Sequence, residues 1–203
     1  MAKEKTFPLE FESRKPILFY PRPLEDVTGD ILEIGPGRGD LLLWMAANFP
    51  DKRFVAIEMM LKRYRKLITR AEKRNLTNIT LLRGNARIIV PKHFSSPTFE
   101  RIYVLFPDPW PKPRHLYQRL LSMEFLNRLA GILKQSGDIV FATDWQPYAD
   151  WVLENVSHVP TLKNMGNPYS EESSLNPSGE PTWFEKKWRE EGRPIFFIRL
   201  LRI

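Results

Sequence analysis

Asp30-Ile31-Leu32-Glu33-Ile34-Gly35-Pro36-Gly37-Arg38-Gly39-Asp40 is the stretch on which the fold turns. Ile31 to Ile34 is a short apolar run, consistent with a buried strand. It runs straight into glycines, which let a backbone turn tightly and approach a ligand. Asp40 to Asn48 follows as a helix, with Leu41, Leu42, Met45 and Ala46 as its inner face. The dinucleotide fingerprint would place its third glycine at position 40, where Asp40 stands; the glycine comes one residue early, at Gly39. An acid beside the first helical turn repels a pyrophosphate, and the Gly-Lys-Ser/Thr of a phosphate loop is missing. A cofactor without phosphates fits better. Glu58 closes the next apolar run about 20 residues on, the spacing at which an acid meets ribose hydroxyls.

Outward from that turn, strands and helices alternate. Phe54 to Ile57, Ile79 to Leu82, Ile102 to Phe106 and Asp138 to Ala142 read as strands. Met60, Tyr64, Leu67, Ile68 and Ala71 recur at helical spacing, and Phe125 to Leu133 and Tyr148 to Val156 read as further helices. Lys134 to Gly137 reads as a turn, and Pro194 to Ile203 as a terminal strand. The pattern predicts an α/β fold with a mostly parallel sheet, whose ligands bind at the carboxyl ends of the strands. One domain spanning 1–203 is expected, with a proline-interrupted irregular arm over 1–29 and a mobile loop over 164–181 rich in Asn, Ser, Pro, Gly and Glu.

Composition narrows the chemistry. The chain has 203 residues, no cysteine and three histidines without metal-ligand spacing, so neither thiolate chemistry nor a metal site is expected. No apolar run approaches the roughly 20 residues of a membrane span. Nothing near Met1 reads as a leader, so a cytoplasmic protein is expected. The net charge is +7, with nine basic residues and two acids between Lys52 and Arg74; the rest of the chain balances at 22 basic and 22 acidic residues. The helical stripe turns Lys62, Arg63, Lys66, Arg70 and Lys73 outward. A concentrated basic face suits a polyanion, or serves solubility alone.

Phe106-Pro107-Asp108-Pro109-Trp110-Pro111-Lys112-Pro113-Arg114-His115 is the most unusual segment. Its prolines cannot continue a strand or a helix. They build a stiff loop at a strand's carboxyl end, carrying Asp108 and Trp110.

Glu33-x-Gly35-x-Gly37-x-Gly39, the acid Glu58 and the C-terminal strand resemble class I S-adenosylmethionine-dependent methyltransferases. The proline-tryptophan segment is similar to the signature of bacterial tRNA (guanine-N7)-methyltransferases. Ala142-Thr143-Asp144-Trp145-Gln146-Pro147-Tyr148 resembles their T-D-W-x-x-Y segment, and Thr182-Trp183-Phe184-Glu185 their T-x-F-E segment. The resemblance implies a Rossmann-like sheet of seven strands with helices on both faces. It implies S-adenosylmethionine held by Glu33, Gly35, Gly37, Glu58, Asn85, Ala86 and Asp108, with Asp108 catalytic. It implies tRNA contacts from Lys112, Arg114, Asp144, Thr182, Phe184 and Glu185, and methylation of the variable-loop guanosine at position 46. The oligomeric state stays open between monomer and homodimer.

Three positions depart from the pattern. Asn85 stands where the family often has Asp, Tyr117-Gln118-Arg119 replaces a K-R-R run, and Trp183 replaces a basic residue. Phosphate contacts are expected from the Lys62 to Arg74 face with Lys112, Arg114 and Arg119. Two rival readings are a class I methyltransferase acting on a small molecule or protein, and a non-catalytic RNA-binding module on the same fold. The first leaves the basic face and the proline loop without purpose; the second is separated by equilibrium binding of the cofactor.

Overall fold

A computed structural model of the chain describes residues 27–170 and 177–203. The elements in order are β1 (Ile31–Ile34), α1 (Asp40–Asn48), β2 (Phe54–Glu58), α2 (Leu61–Glu72), β3 (Ile79–Arg83), α3 (Ala86–His93), β4 (Phe99–Leu105), a 3-10 helix (Pro113–Gln118), α4 (Met123–Ile132), β5 (Leu133–Thr143), α5 (Gln146–Ser157), β6 (Leu162–Asn164), α6 (Trp183–Glu190) and β7 (Phe196–Arg202). The strands form one sheet in the order β3-β2-β1-β4-β5-β7-β6. β1 to β5 pair in parallel, and β7 runs antiparallel between β5 and β6. The order reverses between β1 and β4, which places the switch point at the carboxyl ends of those strands.

Two apolar layers sandwich the sheet. One packs Leu41, Leu42, Met45, Tyr64, Leu67 and Ala71 of α1 and α2 against Phe54, Ala56, Leu81 and Tyr103. The other packs Ile89 and Val90 of α3, Phe125, Leu126 and Leu129 of α4 and Tyr148 and Val152 of α5 against Leu32, Val55, Val104 and Phe141. Strands buried on both faces read as near-continuous apolar runs, which is why β1, β2 and β4 are visible in the sequence.

Several elements differ from the sequence reading. The predicted turn at 134–137 sits inside β5: the ladder pairs Phe99 with Leu133 and then Arg101 with Asp138, so the intervening residues bulge. Met60, placed in the core by periodicity, caps α2 and is exposed; only Tyr64, Leu67 and Ala71 of that helix are buried. α3, with Pro91 inside it, and α6 escaped the reading, as did β6, which has three residues. The irregular arm falls almost wholly, and the centre of the 164–181 loop wholly, outside the described residues.

Candidate active site at the switch point

The glycine turn leaves β1 with Gly35, Gly37 and Gly39 all at positive φ. At Gly39 a side chain is excluded twice. Its φ is +75, and a Cβ would stand 2.3 Å from Leu67 Cδ2, so this glycine lets α2 pack against the start of α1. That accounts for the early third glycine. A Cβ on Gly35 would meet nothing within 4 Å, so the turn faces open space there.

Glu58, the last residue of β2, is buried, and both its oxygens accept backbone hydrogen bonds. Oε2 takes the N–H of Gly37 at 3.2 Å and Oε1 that of Met60 at 2.8 Å. Each carboxylate oxygen keeps a further lone pair. Among the described residues no ion pair engages it. Glu33, in the middle of β1, is 4% exposed and its Oε2 has no hydrogen-bond partner among the described residues. Burial first, then the charges of Asp40 and Glu58, push its carboxyl up to about 8.

A cleft of about 400 Å³ opens at the switch point, lined by Gly35, Glu58, Met59, Met60, Asn85, Ala86, Asp108, Trp110 and Tyr117. A smaller cavity of about 30 Å³ adjoins it through Gly35, Leu105 and Phe106, and is walled by Glu33, Thr182, Trp183 and Phe184. Of the expected cofactor residues, Gly35, Glu58, Asn85, Ala86 and Asp108 therefore share one cleft, and Glu33 lies next door. Gly37 instead lines a groove of about 540 Å³ with Arg38, Met60, Lys62, Arg63, Lys66 and Arg70. Asn85 caps α3, its Oδ1 accepting from the N–H of Arg87 at 3.0 Å, so part of its acceptor capacity is already used.

Asp108 is exposed on the loop after β4. Phe106 and Trp110 on either side of it hold φ of +50 and +45, rare for residues with side chains. The loop's start is fixed by the N–H of Phe106 donating to Ala142 at 2.8 Å.

The expected tRNA residues separate. Lys112 and Arg114 are exposed beyond the cleft lining. Asp144 accepts from Arg193 at 2.8 Å, and that guanidinium lies 4.0 Å over Trp188. Thr182 and Glu185 form a capping box at the start of α6, with Glu185 buried and bonded by Arg189 at 3.1 Å. The T-x-F-E pattern is thus also the S/T-x-x-E signature of a helix start. Phe184 stacks on Phe106 at 6.4 Å, and Arg38 lies 5.1 Å over Trp183, so α6 covers the glycine turn. Arg119, expected on the surface as a phosphate contact, is 4% exposed. A sequence does not say which arginine faces inward, and this one carries no local signal.

Residues 28–198 match the methyltransferase family model Methyltransf_4. The tRNA (guanine-N(7)-)-methyltransferase of Nitrosomonas eutropha is 35% identical over 165 residues, 81% of this chain and 72% of the relative. That of Chlorobium phaeobacteroides is 35% identical over 179 residues, 88% of this chain and 84% of the relative. The chain belongs to the tRNA (guanine-N7)-methyltransferase family. The fold of this family member is that of the 16S rRNA methyltransferase KamB, with a TM-score of 0.61 at 17% identity over 88% of this chain and 89% of that one. The antibiotic-resistance methyltransferase Kmr also gives 0.61, at 13% identity over 86% and 87%. No helix among the described residues of this family member is long and apolar enough to cross a membrane.

Proposed function

We propose that this protein transfers a methyl group from S-adenosylmethionine to N7 of a guanosine in tRNA, at position 46 of the variable loop. The observation that carries the reading is the juxtaposition at the switch point of an orphaned buried carboxylate, Glu33, a strand-end acid with lone pairs free, Glu58, and Asp108 on its proline loop. The residues fit the cofactor. Glu33 offers a carboxylate to the amino group of the methionine moiety, and its uncompensated burial is relieved by a cation. Glu58 accepts from the ribose diol, and Asn85 and Ala86 border the adenine side of the cleft. A volume of about 400 Å³ suits a ligand of this size.

Bound there, the cofactor supplies an electrophilic methyl on a sulfonium. Guanine N7 carries a lone pair and no proton at neutral pH, so no side chain has to act as a base. In-line transfer would join the methyl carbon to N7 as its bond to sulfur breaks, leaving the electron pair on sulfur and the positive charge on the purine. Asp108 accepts hydrogen bonds from the N1–H and N2–H donors of the guanine's Watson–Crick edge and offsets that charge. Alignment of base and methyl is the protein's main contribution, worth up to roughly 7–11 kcal/mol in favourable systems. Lys62, Arg63, Lys66 and Arg38 line a groove without acids that opens beside the cleft and suits RNA phosphates.

The test is an acceptor panel. Labelled cofactor is offered with unmodified tRNA, ribosomal RNA or protein, and wild type is compared with Asp108→Ala at saturating cofactor. Label in tRNA alone, lost in the variant, is expected. Label in protein, or a variant at wild-type rate, contradicts the reading or the role of Asp108 respectively.

A further inference from the structure

The loop that carries Asp108 has few backbone donors of its own beyond the Phe106 N–H at its start. Pro107, Pro109 and Pro111 have no backbone N–H, so the segment offers carbonyls and few donors. Fixing it needs a donor from outside. Arg119 is that donor: its Nε donates to the carbonyl oxygen of Pro109, the residue after Asp108, at 2.9 Å, and Nη1 reaches that of Pro147 at 3.4 Å. The guanidinium lies 5.0 Å over Tyr148 and 5.3 Å over Trp151, so both of its flat contacts are aromatic. Arg87 in turn donates to the carbonyl oxygens of Tyr117, at 2.9 Å, and of Arg119. The N–H of Leu120 donates to the Tyr148 hydroxyl at 3.1 Å. Both the side chain and the backbone of Arg119 are therefore committed.

We propose that Arg119 is a positioning residue that pins the Pro109 peptide and so aims Asp108 into the cleft, and that it makes no contact with RNA phosphate. The proposal rests on the role given to Asp108 above. A planar fork on aromatic rings suits this task; an ammonium keeps the charge and a donor but not the fork. Strained backbone at Phe106 and Trp110 persists only where its surroundings over-determine it, and Arg119 supplies the constraint on the Trp110 side.

The test separates the two roles. Arg119→Met should lower kcat on tRNA about 100-fold, with the Kd values for cofactor and tRNA nearly unchanged. Arg119→Lys should recover part of that loss. The slope of log Kd for tRNA against log salt should stay at the wild-type value in both. A slope reduced by about 0.7–0.9 with kcat intact marks a phosphate contact and overturns the proposal. Should the variants not fold, phenylglyoxal modification of the wild type with peptide mapping decides. Arg119 should resist it with and without tRNA, whereas Arg119 modified in the free protein and protected by tRNA contradicts the assignment. Wild-type turnover separately tests the parent reading: no transfer to tRNA sinks that reading, while the mapping still reports on Arg119.

Discussion

The backbone N–H of Gly37 donates to Oε2 of Glu58 at 3.2 Å across 21 positions of sequence. The acid that would hold the ribose is thereby tied to the turn that would hold the methionine end. Replacing Glu58 with Ala removes both. Charge-assisted hydrogen bonds are worth about 1.5–3 kcal/mol, so cofactor Kd should rise about 10- to 150-fold by calorimetry. Glu58→Gln, which keeps one acceptor oxygen, should fall between. Wild-type affinity in the Ala variant would detach Glu58 from the cofactor.

If Glu33 meets the cofactor's ammonium as proposed, cofactor binding should be proton-linked. Its folded carboxyl is raised from 4.5 to about 8, so at pH 7 the free protein holds a proton that an ammonium ligand displaces. Calorimetry at pH 7 in buffers of different ionisation enthalpy should show proton release, abolished in Glu33→Gln. Affinity should climb from pH 6 to a maximum near pH 8 and fall above it, as the cofactor's own α-amino group, with pKa about 7.7–8.0, loses its charge.

The same shift has a stability sign. A raised folded pKa means the native state binds the proton more tightly. The contribution is complete below the unfolded value and is lost as pH rises through about 8. Ligand-free Glu33→Gln should therefore melt above wild type at pH 8.5 and match it near pH 4. A lower Tm for the variant at pH 8.5 would contradict the uncompensated burial.

Asp144 accepts from Arg193 at 2.8 Å, with that guanidinium over Trp188 of α6, and the pair is expected to act as one unit. Asp144→Ala and Arg193→Ala should lower tRNA turnover to the same extent, and the double variant no further. Additive losses would point to a separate contact of Asp144 with the substrate.

The basic groove predicts a salt response. Lys62→Ala with Lys66→Ala should reduce the slope of log Kd for tRNA against log salt by about 0.7–0.9 per lost phosphate contact. An unchanged slope would remove α2 from the RNA surface.

Much of the fold was legible because buried parallel strands and a two-sided helix leave periodic apolar marks. β1, β2, β4 and the inner residues of α1 followed directly. The pairing of β7 between β5 and β6 is set by long-range register, which local pattern does not encode. α3 was masked by Pro91, and α6 announced itself only through Thr182 and Glu185, whose spacing also matched a family motif. In the site, Gly35 and Glu58 were singled out by position and chemistry and Asp108 by its proline loop, whereas Glu33 and the catalytic role of Asp108 came only through the family resemblance. The contacts of Arg119 and Arg193 were not legible, because their roles depend on which ring or carboxylate lies opposite once the chain has folded.

The most direct test of methyl transfer to guanine N7 is chemical mapping of the product. Unmodified tRNA is incubated with the protein and labelled S-adenosylmethionine, then treated with borohydride and aniline, which cleave at 7-methylguanosine. A single cleavage in the variable loop at position 46, absent without enzyme, is the expected result. Label in tRNA that survives this treatment, or no label in tRNA at all, would contradict the account.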